Sequence, residues 1–237
     1  MLLTPARLPL CVWLMLMVAC ALTPACGGAS PPSDPPQSAS APQDPEGPPA
    51  RPRVVILGDS LTAGLGLVES QAFPARLQQR VDDEGYAFEV VNAGVSGDTS
   101  AGGLRRLDWA LEGEVRVLVL ALGANDGLRG LSVAEMKKNL TAIIERAKAR
   151  GVIVILAGME APPNYGQEYA AAFRQAFRQV ALEQRVLFIP FLLQDVAGHS
   201  ALNQSDGIHP NAAGASRVAE TVWGVLGPTL DQMAAAS

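Results

Sequence analysis

The chain has 237 residues, 49% hydrophobic and 17% charged, with a formal net charge of −5. That length holds one or two domains, and the mildly acidic balance excludes a nucleic-acid binder that works through a basic patch. Three cysteines and two histidines are too few for a disulfide scaffold or a zinc site built from His and Cys.

Residues 1–26 carry one charged side chain, Arg7, and residues 8–22 (LPLCVWLMLMVACAL) carry none. This run is shorter than the roughly 20 apolar residues of a spanning helix. A basic residue, an apolar stretch and then small residues predict a secretory signal. A buried N-terminal helix is the competing reading; Pro9 and the polar stretch downstream stand against it. All three cysteines, Cys11, Cys20 and Cys26, lie in this leader. Residues 27–50 (GGASPPSDPPQSASAPQDPEGPPA) hold 8 of the 18 prolines and no Lys, Arg, aromatic or β-branched residue. Such a segment cannot bury enough apolar surface to offset its ordering entropy, which predicts a disordered, extended tether. With +1 in the leader and −3 in the linker, −3 of the total −5 remains for residues 51–237.

Those residues alternate short apolar runs with longer amphipathic ones. Strands are predicted at 54–57 (VVIL), 88–92 (FEVVN), 115–122 (VRVLVLAL), 152–157 (VIVILA) and 186–191 (VLFIPF). Continuous apolar runs are the pattern of parallel strands buried on both faces; Pro190 marks the fifth as an edge or an end. Helices are predicted at 72–83, after the Ser132/Glu135 capping box, along the Tyr169, Phe173, Phe177, Val180 and Ala181 stripe, and at 212–226 after Pro210. The stripe of Met136, Leu140, Ile143, Ile144 and Ala147 faces the core. The alternation predicts one α/β domain, a three-layer α/β/α sandwich around a five-stranded parallel sheet.

In such sheets active residues gather beyond the strand C-termini. Gly58, Asp59 and Ser60 follow the first strand, residues 92–98 the second and residues 123–126 the third, so all three polar clusters fall on one edge. Asp206 and His209 are three apart, close enough for the carboxylate to reach His Nδ1 within one local turn. Nε2 is then free to deprotonate a serine. There is no G-x-S-x-G, G-x-x-x-x-G-K-[ST] or H-E-x-x-H, and Gly64 and Gly66 lack the third glycine of a dinucleotide fingerprint.

Five blocks in order, VVILGDSLTAG (54–64), VVNAGVSGDTS (90–100), LGANDGLRG (122–130), PPNYG (162–166) and DGIHPN (206–211), resemble the SGNH (GDSL) hydrolases. They are most similar to the arylesterase, acyl-CoA thioesterase I and lysophospholipase subgroup. The resemblance implies a flavodoxin-like SGNH hydrolase fold and an esterase that needs no metal or organic cofactor. It implies Ser60 as nucleophile, with Asp206 and His209 completing the triad. The implied oxyanion donors are the N–H groups of Ser60 and Gly97 and the side-chain amide of Asn125. Substrate contacts are expected at Leu128, Glu160, Ala161 and Pro163, and residues 127–130 are expected to form a flap over the acyl chain. Asp59, Asn92 and Asp126 read as loop-bracing residues, and His199 as incidental.

Two departures bear on the substrate. Ala124 stands where the subgroup often has glycine. Met159, Glu160 and Ala161 precede PPNYG where the subgroup carries Arg-Leu, which predicts a reshaped acyl-pocket wall. The leader resembles a bacterial lipoprotein signal, with Cys26 as the acylated residue, Cys20 as the alternative and plain cleavage as the third reading. The expected protein is therefore a monomeric, exported, periplasmic enzyme, membrane-attached through a lipid and acting on small acyl esters. A carbohydrate O-deacetylase and a non-catalytic lipid-binding protein are the competing functions.

Overall fold

The computed structural model describes residues 51–235; the expectations for the leader, its cysteines and the linker fall outside them. β1 (Arg53–Gly58) leads into a single-turn helix, α1 (Ser60–Ala63), and then α2 (Phe73–Asp83). β2 (Glu89–Gly94) is followed by two short helices, α3 (Ser100–Arg105) and α4 (Leu107–Ala110). β3 (Val115–Ala121), α5 (Ala124–Leu128) and α6 (Val133–Ala149) come next. β4 (Ile153–Ala157), α7 (Gln167–Gln184), β5 (Leu187–Ile189) and α8 (Ala212–Ala235) complete the domain.

The sheet is parallel throughout, in the order β2-β1-β3-β4-β5. Val55 pairs with Val91 on one side and Leu118 on the other, which fixes the register at the centre. The apolar runs are continuous because β1, β3 and β4 are covered on both faces: the successive pairs Ile56 and Leu57, Val119 and Leu120, and Ile155 and Leu156 are fully buried. α2 and α8 pack together on one face, and α3, α6 and α7 on the other. This is the expected three-layer α/β/α sandwich. Its strand order reverses between β1 and β3, the switch point at which such sheets hold ligands.

Helix α6 follows its sequence pattern. Ser132 caps it by accepting from Glu135 N–H at 3.3 Å, and Met136, Leu140, Ile143, Ile144 and Ala147 face the core. Along α7 the rings of Tyr169, Phe173 and Phe177 stand at helical spacing, each against the next, and Tyr165, just before the helix, packs on Tyr169. That ladder requires small residues opposite. A Cβ on Gly127 would lie 2.9 Å from the Phe173 ring, and one on Gly123 2.7 Å from Phe177. The aromatic stripe is thus the core support of the loop after β3.

Two expectations change. Helix α8 runs past 226 to Ala235, through Pro228. Proline removes one helical hydrogen bond, the one to the carbonyl of Gly224, but Leu226, Thr229 and Leu230 are buried. Burial on both sides of Pro228 holds the helix together, and Tyr86 OH bonds to Asp231 further on. The start of α8 is capped by Asn211, whose Oδ1 accepts from the N–H groups of Ala213 and Gly214, rather than being set by Pro210 alone.

Candidate active site

Ser60 is the first residue of α1, one residue beyond Asp59 and two beyond the end of β1. Asp59 caps α1 through Oδ1, which accepts from Leu61 N–H at 3.0 Å, so the chain turns sharply from strand to helix. The turn is crowded. A Cβ on Gly94 would stand 2.3 Å from the backbone nitrogen of Ala63. Only glycine at the end of β2 lets α1 lie across it.

The loop from Asn203 to Pro210 brings in the other two residues of the expected triad. Ser60 Oγ lies 2.9 Å from His209 Nε2, and His209 Nδ1 lies 2.7 Å from Asp206 Oδ2. Asp206 Oδ1 also accepts the N–H groups of His209 and Ile208, at 3.0 and 2.9 Å. The His209 N–H bond, then the His209 ring and the Ile208 N–H, hold the Asp206 carboxyl down at about 2. It therefore stays ionised at neutral pH. Gln204, which no motif spacing reveals, anchors this loop. Its amide donates to Leu65 O at 2.7 Å and Pro210 O at 3.0 Å, and its N–H donates to His209 O at 2.8 Å.

The expected oxyanion donors come from the ends of three strands. Asn125 is the second residue of α5, and its Nδ2 donates to Asp98 O at 2.9 Å and lies 3.4 Å from Asp59 Oδ2. Gly97 has φ +84°, a conformation that favours glycine. Its N–H has no hydrogen-bond partner among the described residues, while its carbonyl accepts from Arg129 at 2.8 Å. Asp126 and Asn92 brace loops: buried Asp126 accepts from Ser100 N–H and Oγ–H, and Asn92 from Gly94 N–H. Asn139 donates to the same Ser100 hydroxyl. Asp59 is 1% exposed, and burial pushes its carboxyl up to about 6 against the opposing pull of Leu61 N–H, His209 and Asn125.

A cavity of about 320 Å³ opens beside Ser60, His209 and Asn125. Its walls are mainly apolar, from Leu128, Met159, Ala161, Pro162, Phe191 and Leu193. Leu128, Glu160 and Ala161 line it as expected, but Pro163 does not; Pro162 takes that place. Pro162 is in extended conformation over the cavity, and Pro163 begins the 3-10 turn that leads away to Tyr165. Gly97 is not among the lining residues either; it reaches the site through Asp98 and Asn125. His199 is exposed and serves by its carbonyl, which accepts from Asn203. Among the described residues no group of three or more His, Cys, Asp or Glu could hold a metal ion.

A serine bonded to a histidine that is bonded to an aspartate, beside an apolar cavity, is an arrangement suited to acyl transfer. Residues 56–217 match the GDSL-like Lipase/Acylhydrolase family, and the chain belongs to it. The chain is 46% identical over 178 residues to Esterase TesA of Pseudomonas aeruginosa, covering 75% of this chain and 89% of that one. It is 35% identical to an arylesterase of Vibrio mimicus, covering 72% and 86%. It is 38% identical to the thioesterase 1/protease 1/lysophospholipase L1 of Escherichia coli (strain K12), covering 67% and 75%. The crystal structure of TesA superposes with a TM-score of 0.72 at 45% identity, over 74% of this chain and 98% of that one. Both the family and the fold expected from the motifs hold, and with them the class: an ester-cleaving hydrolase.

Proposed function

We propose that the protein hydrolyses carboxylic esters of acyl chains longer than acetyl, through an acyl intermediate on Ser60. The observation that carries this reading is the continuous relay Ser60 Oγ, His209 Nε2, His209 Nδ1, Asp206 Oδ2, with bonds of 2.9 and 2.7 Å, at the mouth of an apolar cavity. His209 takes the Ser60 proton as Oγ attacks the ester carbonyl, and Asp206 holds the imidazole in the tautomer that can accept it. The tetrahedral oxyanion is held by the N–H groups of Ser60 and Gly97 and by Asn125 Nδ2; a single such donor contributes about 2.7–4 kcal/mol in known oxyanion holes. His209 then protonates the leaving alcohol, and water activated by the same imidazole releases the acid.

Aryl esters, acyl esters and lysophospholipids are the substrates this reading favours, with thioesters as further reactants in the test tube. The names of the relatives support all of these and lend none to a carbohydrate O-deacetylase. The leader and tether support an exported, periplasmic enzyme, a monomer attached to the membrane through a lipid on Cys26 or, failing that, Cys20. No helix among the described residues is long and apolar enough to cross a membrane. The test is Ser60→Ala combined with a fluorophosphonate label. Loss of p-nitrophenyl ester hydrolysis, with the label mapped to Ser60 in the parent, is expected. Undiminished hydrolysis in Ser60→Ala overturns the mechanism.

A further inference from the structure

Arg106 has no role in the chemistry described so far, yet it makes three hydrogen bonds at the catalytic edge. Its Nε donates to Asp98 Oδ2 at 2.6 Å, its Nη1 to Ala93 O at 2.8 Å and its Nη2 to Gly58 O at 2.8 Å. The ion pair is shielded, with the two side chains 18% and 17% exposed. Each acceptor belongs to a different part of the site. Gly58 ends β1 and lies two residues before Ser60. Ala93 lies at the end of β2. Asp98 follows Gly97, and its carbonyl accepts the Asn125 amide at 2.9 Å.

We infer that Arg106 is a positioning residue of the oxyanion hole: one guanidinium fixes the chain segments that carry Ser60 N–H, Gly97 N–H and the Asn125 amide. The inference rests on the catalytic reading above. A planar fork with donors in fixed directions suits this task, because three acceptors on three segments must be held in one plane. Lysine, a point charge on a flexible stem, cannot reproduce it. The partner is held as firmly. Gly102 packs so close to Asp98 that a Cβ there would lie 2.2 Å from Oδ1, and the Asp98 N–H bonds to Val95 O at 3.0 Å. Asp98 stands just before α3 and Arg106 is the C-cap residue at its end, with Gly102 between them, so this short helix sets the guanidinium against the carboxylate. Gly58 O also accepts Val95 N–H at 3.1 Å, which joins the β2 loop to the strand that delivers Ser60.

A purely structural role would predict lost stability alone, since the carbonyls at the strand ends need donors. The positioning role predicts a loss confined to the transition state. Misplacing reacting groups by about 1 Å costs roughly 10²-fold in rate. The experiment compares Arg106→Lys and Arg106→Ala with Arg53→Gln in the full chain. Arg53 bonds to Glu89 and Glu112 O at the far end of β1, away from the site. Melting temperature, kcat and KM are measured on p-nitrophenyl butyrate. The expected result is a kcat about 10²-fold lower in both Arg106 variants, with KM within about threefold. Arg53→Gln loses stability and keeps kcat. Added guanidinium restores at least about tenfold of kcat in Arg106→Ala, as a returned fork would. The inference is overturned if Arg106→Lys turns over at the parent rate, if KM carries the effect, or if guanidinium rescues nothing. Should the Arg106 variants not fold, Asp98→Asn reads the same split, and an unchanged kcat there overturns it. Hydrolysis surviving in Ser60→Ala would instead refute the catalytic reading, whatever Arg106 does.

Discussion

Replacing Ala161 by leucine should shorten the acyl chain that the enzyme accepts. Ala161 lines the 320 Å³ cavity, and its Cβ lies 3.4 Å from where a Cβ on Gly127 would stand, with the Phe173 ring close behind. Ala161 is packed against the buried core on its other side, which leaves the cavity as the open direction for a longer side chain. It must grow into the cavity, where leucine places three more carbons than alanine. Those carbons occupy space that an acyl chain would otherwise fill. At about 0.8 kcal/mol for each buried methylene, excluding three of them weakens long-chain binding by about 2.4 kcal/mol. That is about 60-fold in kcat/KM for octanoyl and longer esters, at 1.36 kcal/mol per tenfold. An acetyl ester is too short to meet the new side chain and should change by less than about threefold, since neither Ser60 nor its bond to His209 is touched. The assay is kcat/KM for p-nitrophenyl esters from acetyl to dodecanoyl, for parent and variant. A uniform fall along the series, acetyl included, would mean damage to the catalytic groups. An unchanged ratio of octanoyl to acetyl would mean that the chain lies elsewhere. Either result refutes the assignment of this cavity to the acyl group.

The buried Asp59 makes stability depend on pH. Its carboxyl is raised from an ordinary 3.8 to about 6, chiefly by burial, so the folded state holds this proton more tightly than the unfolded chain. Stability from this group is fully present below about 4 and falls as pH rises to about 6, by at most about 3 kcal/mol. Asp206, held near 2, gains its stabilising charge below that window and does not mask the slope. Denaturant titrations between pH 4 and 7 measure it, and a slope undiminished in Asp59→Asn contradicts the assignment. Gly94→Ala should cost about 1–3 kcal/mol or more and reduce ester hydrolysis with it, because the new methyl meets the α1 backbone 2.3 Å away. Thermal melts and the butyrate assay check this, and a variant with the parent melting temperature rules out the steric account.

The strands were legible because β1, β3 and β4 are buried on both faces, and burial on both faces leaves an unbroken apolar run. Helices α6 and α7 were legible because one stripe of each faces the sheet. The short helices α1, α3, α4 and α5 have four to six residues, too few for any period to show. Ser60 was marked by the end of a strand, and Asp206 with His209 by their spacing. Gln204 and Arg106 left no such mark. Gln204 braces Leu65 O across 139 positions, and Arg106 reaches Gly58 O across 48. Both bond to carbonyls, which every residue type presents alike, so sequence pattern cannot distinguish these acceptors from any others. The same blindness explains Pro163: two adjacent prolines look equal in the sequence, and only the direction of the backbone decides which one faces the cavity.

The location of the site follows from what a parallel sheet leaves unpaired. At the C-terminal edge the strands stop, and their last carbonyls point out of the sheet with no further strand to take them. Here Arg106 takes those of Gly58 and Ala93, and in the loop after β2 the Asn125 amide takes the carbonyl of Asp98. Once these acceptors are satisfied by side chains, donors such as Gly97 N–H are left over, fixed in place and without a partner among the described residues. A fixed, unsatisfied donor is a cost in the folded ground state and an asset only when an oxyanion forms beside it. The Ser60 half of the site is built into the sheet in this way. The His209 half hangs on a loop held by Gln204 and Asp206. The division suits the proposed chemistry: the groups assigned to the oxyanion are tied to strands, and the imidazole assigned to proton transfer sits on the loop.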